Sequence, residues 1–142
     1  MNIEELRQYL EAEGCNPHNY AIGSRGSVSD AFCLTHNGTQ WQVYYTERGS
    51  DQSPIHVSDD EAQACEFFRK HILSQRHDHC VGFFRSEAAA RSLVKQLAKL
   101  RVKAWQDRIP YGGWTDPRYR VFVTGKDIFI ARANLDNIPM RD

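Results

Sequence analysis

An Asn37-Gly38 pair set between two alternating apolar stretches constrains this chain more than any other feature. Both residue types accept positive φ, as a two-residue type I′ turn requires, so the sequence predicts a tight hairpin running from Asp30 to Gly49. In its first strand Phe32 and Leu34 alternate with Cys33 and Thr35 and face a core. In its second, Trp41, Val43 and Tyr45 share one face while Gln42, Tyr44 and Thr46 share the other. An aromatic on each face implies that both faces are covered. The stretch Glu47–Val57 holds Gly49, Ser50, Asp51 and Pro54 and reads as a loop. Ser58-Asp59-Asp60-Glu61 then has the form of a capping box, with Ser58 as N-cap. Ala62, Cys65, Phe68, Ile72 and Leu73 form the apolar stripe of a helix reaching about residue 75. Asp59, Asp60 and Glu61 suit the positive end of its dipole, which gives those acids a structural reason to be there.

The remaining elements are read from this frame. Ile3, Leu6, Tyr9 and Leu10 recur at helical spacing and Gly14 is placed to end that helix. Asn16-Pro17 breaks the chain, and Tyr20–Gly23 reads as a short strand. Beyond residue 76, Cys80–Phe84 reads as a strand. Ser86 caps a helix over Glu87–Leu100 whose stripe is Ala90, Leu93, Val94, Leu97 and Leu100. Val102–Asp107 is expected as a strand, Arg108–Arg118 as a Pro-, Gly- and aromatic-rich loop. Tyr119–Thr124 and Asp127–Ala131 are expected to pair as a second hairpin through Gly125-Lys126. The expected architecture is therefore α+β: one domain over 1–142, made of two related helix-plus-antiparallel-hairpin halves at about 1–76 and 77–142.

Composition is that of a globular protein, with 41% hydrophobic and 25% charged residues. Charge is unevenly divided. Residues 1–76 hold six Lys+Arg against eleven Asp+Glu, and residues 77–142 hold twelve against seven, so net charges of −5 and +5 cancel. No apolar run approaches the roughly 20 residues that span a bilayer. The acidic, helix-like start Met1-Asn-Ile-Glu-Glu-Leu is unlike a signal peptide, and Cys15, Cys33, Cys65 and Cys80 are spread without close pairing. These features place the chain in the cytoplasm, with reduced thiols.

Chemical signatures are few. His71, His77, His79 and Cys80 have metal-ligand side chains but lack paired Cys-x-x-Cys or His-x3-His spacing. No nucleophile motif is present, and the glycines lack the strand–loop–helix context of a phosphate or dinucleotide site, so no cofactor is expected. Glu47 and Arg48 at a strand end, with His36 on the neighbouring strand, form the one acid–base arrangement to test. Arg101, Lys103, Arg108, Arg118 and Arg120 interleave with Trp105, Tyr111, Trp114 and Tyr119, a mixture suited to single-stranded nucleic acid, although no recognised nucleic-acid signature accompanies it. The loop Tyr111-Gly-Gly-Trp-Thr-Asp-Pro117 either exposes Tyr111 and Trp114, the residue types of interface hot spots, or folds Trp114 back on the core.

Trp41-Gln-Val-Tyr-Tyr-Thr-Glu-Arg-Gly49, followed by a polar loop and the acidic helix start Asp59-Asp-Glu-Ala-Gln-Ala-Cys-Glu-Phe-Phe68, resembles small bacterial immunity proteins. Those proteins accompany polymorphic or contact-dependent growth-inhibition toxins. The resemblance covers about residues 1–75. It implies a protein without catalysis of its own that binds the toxic C-terminal domain of a large secreted effector, a nuclease among the candidates. Complementary charge speeds such an encounter. Candidate contacts are Glu47, Arg48, Asp51, Asp59, Asp60 and Glu61 in the acidic half, and Tyr111 and Trp114 in the basic half. A nucleic-acid or regulatory binding module using the aromatic–basic half is the alternative.

Overall fold

Helix α1 spans Ile3–Ala12 in a computed structural model that describes residues 1–142. Asn2 caps it reciprocally with Glu5, so two otherwise orphaned backbone donors are satisfied. Leu6 and Leu10 are fully buried, whereas Tyr9 stays outside with the Arg69 guanidinium 5.5 Å from its ring centre. Gly14, at φ 74, turns the chain out of the helix. A 3-10 turn (Pro17–Asn19) leads into β1 (Tyr20–Gly23), β2 (Ala31–His36), β3 (Trp41–Glu47), β4 (Ser50–Asp51), β5 (His56–Ser58) and helix α2 (Glu61–Leu73). Together these make one unit, Met1–His77.

The sheet of this unit runs β1-β2-β3-β4, with β5 also on β3. β1 lies parallel to β2 across a loop, residues 24–30, much shorter than parallel strands normally need. Four-residue β1 explains it: the loop must return only roughly 13 Å, within its extended reach of about 23 Å. β2 and β3 pair antiparallel from Ala31↔Thr46 to His36↔Trp41.

The turn between them corrects the expected type I′ geometry at Asn37-Gly38. Gly38 has φ 94, but Asn37 does not enter the left-handed region. Four residues connect the strands, and Asn37 acts through its side chain, with Oδ1 accepting from Thr39 N at 2.9 Å and Gln40 N at 2.8 Å. Positive φ at both central residues occurs instead at Arg48 (φ 50) and Gly49 (φ 81), which join β3 to β4 with Glu47 paired to Ser50. The region read as loop therefore holds the tight hairpin.

The helix cap also lies two residues beyond the expected one. Ser58 is the last residue of β5, paired with Trp41, and so cannot begin a helix. Asp60 is the N-cap of α2; its Oδ1 accepts from Ala62 N at 2.9 Å, while the Ser58 hydroxyl accepts from Asp60 N. Glu61 is not the second half of a box but accepts from Ile3 N, joining the start of α2 to that of α1. Both helices cover one sheet face, where Leu6, Leu10, Ile22, Leu34, Val43, Cys65, Phe68 and Ile72 close a core. On the other face Cys33, Tyr44 and Thr46 are also buried. Arg25 reaches over this side to Asp51 Oδ1 (2.7 Å), Gly49 O (3.3 Å) and Thr46 Oγ1 (3.5 Å). Both faces of β3 are thus covered, one by helices and one by a loop.

The second unit, Asp78–Asp142, comprises β6 (Asp78–Phe84), α3 (Glu87–Lys99), β7 (Trp105–Ile109), β8 (Arg118–Thr124), α4 (Asp127–Asn134) and β9 (Met140–Arg141). Its sheet order is β7-β8-β6-β9. β6-α3-β7 is a split β-α-β unit, its two strands parallel with β8 between them, and β9, only two residues long, runs parallel to β6. Ser86 caps α3 through Ala89 N at 3.2 Å, and Ala90, Leu93 and Leu97 are buried. They pack on Val81, Val121 and Val123 in the core of this unit.

The α+β class holds, and each unit contains an antiparallel pair, but the connectivities differ. The expected hairpin between Tyr119–Thr124 and Asp127–Ala131 does not form, because Asp127–Asn134 is a helix. Its buried residues, Ile128 and Ala131, are three apart, as a helix requires and an alternating strand does not. The strand expected from Val102 starts at Trp105, and Val102 is itself a core residue. No helix is long and apolar enough to cross a membrane.

Candidate functional site

The clusters suggested by residue type disperse on folding. β3 pairs with Ser58 at Trp41 and with Ser50 at Glu47, so its whole length, roughly 20 Å at about 3.4 Å per residue, separates the two acidic groups. Glu47, Arg48 and Asp51 lie at one end, all exposed; Asp59 and Asp60 are exposed at the other, beside half-buried Glu61. Asp60 is committed to its cap and Glu61 to Ile3 N. Hydrogen bonds from Thr46 and then Arg25 hold the Asp51 carboxyl below its ordinary value. His36 pairs with Trp41, so it too is a strand length from Glu47, and the acid–base arrangement is not assembled.

The His and Cys side chains do not converge either. His71 lies against Phe32 and Phe67, its Nε2 buried without a hydrogen-bond partner. His77 accepts from Asn16 N through Nδ1 and bonds Ile72 O through Nε2. Cys80 Sγ donates to Gly82 O at 3.3 Å. No group of three or more His, Cys, Asp or Glu side chains is placed to hold a metal ion. All four cysteines are free. Burial pushes each thiol up, Cys15 and Cys65 to about 11, the opposite of what an activated nucleophile needs.

The second unit does build a site. Between β7 and β8 the loop closes on itself: Gly112 N donates to Asp116 O at 2.9 Å and Asp116 N to Gly113 O at 3.1 Å. A Cβ at Gly112 would stand 2.5 Å from Asp116 Oδ2 and 3.0 Å from Asp116 Cβ, so a larger residue there would displace the Asp116 side chain that pairs with Arg118. The loop keeps Tyr111 63% and Trp114 61% exposed, which settles Trp114 as a surface residue rather than a core plug. Each ring is backed by an arginine: Arg118 Cζ is 4.4 Å from the Tyr111 ring centre, and Arg108 Cζ is 4.9 Å from that of Trp114. Arg118 is itself buried and locked, with Nη1 2.7 Å from Asp116 Oδ1 and 3.1 Å from Pro117 O. No family model, curated protein or solved structure matches this chain.

Beside the loop lies a cavity of about 210 Å3 lined by Phe83, Arg85, Tyr111, Arg118, Arg141 and Asp142. Phe83 meets Tyr111 edge-on at 5.5 Å, and Arg141 Cζ sits 4.8 Å from the Phe83 ring centre. Asp142 turns its two oxygens to Arg85 N (2.8 Å) and Ser86 N (2.9 Å), and these bonds, the Arg85 amide first, hold its carboxyl below the ordinary value. Of the basic residues read from the sequence, Arg118 belongs here; Arg120 is clamped by both oxygens of Asp107, at 2.9 and 2.6 Å. Arg85 and Arg141 carried no signal in the sequence, because strand pairing alone brings β9 beside β6. The first unit has a smaller cavity, about 180 Å3, formed by Gln42, Tyr44, Asp51, Gln52 and Pro54.

Proposed function

We propose that this protein is a non-catalytic binding protein, an immunity protein that captures and neutralises the toxic C-terminal domain of a secreted bacterial effector. The Tyr111–Trp114 loop is its principal contact. The observation that carries this reading is the exposure of two large aromatics on a loop already held by its own hydrogen bonds. Rings fixed before binding lose little conformational freedom on contact, and aromatic anchors dominate the energetics of protein interfaces. Of the five basic residues in the aromatic–basic stretch, Arg118 and Arg120 are paired with Asp116 and Asp107 and so have little charge left for phosphates, which thins the patch that a nucleic acid would need. The separation of the acidic residues into two groups shifts the contact away from them and onto the basic unit.

Co-expression with the toxic domain encoded immediately upstream tests the reading. The native chain rescues growth and co-elutes with that domain in gel filtration. Tyr111→Ala with Trp114→Ala abolishes rescue and weakens binding by at least about 30-fold, the factor for loss of one hot spot of roughly 2 kcal/mol. The circular dichroism spectrum stays that of the native chain, because neither ring is part of a core. Absence of rescue by the native chain, or full rescue by the double variant, overturns the proposal.

A further inference from the structure

The cavity beside the loop is unlike an ordinary surface dimple in its charge. Three arginine side chains line it with one acidic side chain, Asp142, which spends both side-chain oxygens on backbone amides. Arg118 is answered by Asp116, but Arg85 and Arg141 are exposed and neither forms an ion pair. They converge from different elements, Arg85 just after β6 and Arg141 on β9. Phe83 and Tyr111 supply the walls, so the cavity combines cationic donors with apolar sides. A guanidinium presents paired N–H donors in a planar fork that matches the oxygens of a carboxylate or phosphate. Size restricts the ligand further: about 210 Å3 falls below the roughly 300–1,000 Å3 of sites for drug-sized molecules and cofactors. The end of a side chain or an inorganic oxyanion fits.

We propose that this cavity is an oxyanion-binding site in which Arg85 and Arg141 supply the free donors, while Arg118, its charge answered by Asp116, fixes the wall behind the Tyr111 ring. Carboxylate and phosphate share the chemistry required. With Tyr111 forming both a wall of the cavity and part of the exposed loop, an acidic side chain of a bound protein enters the site as the loop is engaged. That assignment of the source rests on the binding role proposed above; the oxyanion site itself does not.

The test uses the full chain with labelled arginines, followed by NMR of the Nε–H groups at low salt. One arm titrates inorganic phosphate, the other a blocked Asp-Glu dipeptide. Saturable shifts confined to Arg85, Arg118 and Arg141 are expected, weakened about tenfold by Arg85→Gln and again by Arg141→Gln, with Lys99→Gln as a neutral control. Saturation in the dipeptide arm identifies a carboxylate source and saturation in the phosphate arm a phosphate source; either supports the site. Linear shifts spread over all arginines in both arms, or saturation indifferent to both substitutions, overturn it. Anion binding without capture of a toxin domain leaves the site standing and removes the immunity reading, so the two failures are distinct.

Discussion

Gly82 is the position where the packing of the second unit can be tested most directly. It lies at the irregularity in β6, where pairing with β8 shifts between Cys80 and Gly82. A Cβ added there would stand 2.6 Å from Phe84 Cε2 and 2.8 Å from Leu93 Cδ2. Both neighbours are held: Phe84 is 4% and Leu93 3% exposed, so neither side chain can swing into solvent. Forcing a methyl into such a site costs about 1–3 kcal/mol. The φ of Gly82 is not left-handed, so alanine also gains roughly 0.4–1 kcal/mol by restricting the unfolded chain. The balance for Gly82→Ala centres on a loss of about 1.3 kcal/mol, or roughly 5–10 °C in the melting temperature of a unit this size. Leu93→Ala vacates the volume that the new methyl and the displaced Phe84 ring need. Leu93→Ala alone costs about 2–5 kcal/mol, but Gly82→Ala added to it costs little or restores stability. Urea unfolding by circular dichroism, with amide exchange of Val121 and Val123 as local reporters, measures all four corners of the cycle. Equal penalties in the two backgrounds, or a Gly82→Ala protein as stable as the native one, would refute this account of how α3 packs on β6.

Other consequences are as open to measurement. Asp60→Ala removes the true cap of α2 and lowers stability by about 1 kcal/mol in urea titrations, whereas Ser58→Ala leaves that cap in place and costs less. Arg48→Asn replaces a long side chain at φ 50 with a residue that tolerates that conformation; a gain of about 0.5 kcal/mol or more in the same titrations is expected. Burial holds His71 below its ordinary 6.5, so the folded state binds fewer protons there than the unfolded state does. Its contribution is complete above pH 6.5 and is lost as pH falls from that value down through the lowered folded one. His71→Leu therefore shrinks the fall in stability between pH 7.5 and 5; unchanged pH dependence in unfolding titrations would dismiss the effect.

The helices legible in the sequence are those whose burial follows a single period. The stripes of α1, α2 and α3 were plain because each helix packs one side against a core, whereas β2 and β3, buried on both faces, were legible from their β-branched and aromatic residues. Helix α4 misled because Ile128-Phe129-Ile130 reads as a β-rich run, while burial selects only Ile128 and Ala131 and leaves Phe129 and Ile130 38% exposed. The Asn37-Gly38 signal located the hairpin but not its geometry: the Asn37 side chain took over the role that its backbone was expected to play. In the site, Tyr111 and Trp114 stood out as residue types, since a loop with Gly112, Gly113 and Pro117 announces itself locally. The arginine cavity did not, because its parts meet through pairings such as Gly82↔Met140 that no local pattern encodes.

The strand order of the second unit also sets a timetable for synthesis. β6 is made first, yet its neighbour β8 arrives far later: Asp78 and Thr124, joined by a 2.7 Å side-chain hydrogen bond, are 46 positions apart. At roughly 5–20 residues per second, the ribosome leaves β6 without its central partner for about 2–9 s. During that interval α3, which follows directly, is the element able to shelter Val81 and Phe84. The capped, alanine-rich helix is then a chaperone in cis for the nascent strand, and weakening its cap should raise aggregation of the newborn chain more than it lowers the stability of the finished one.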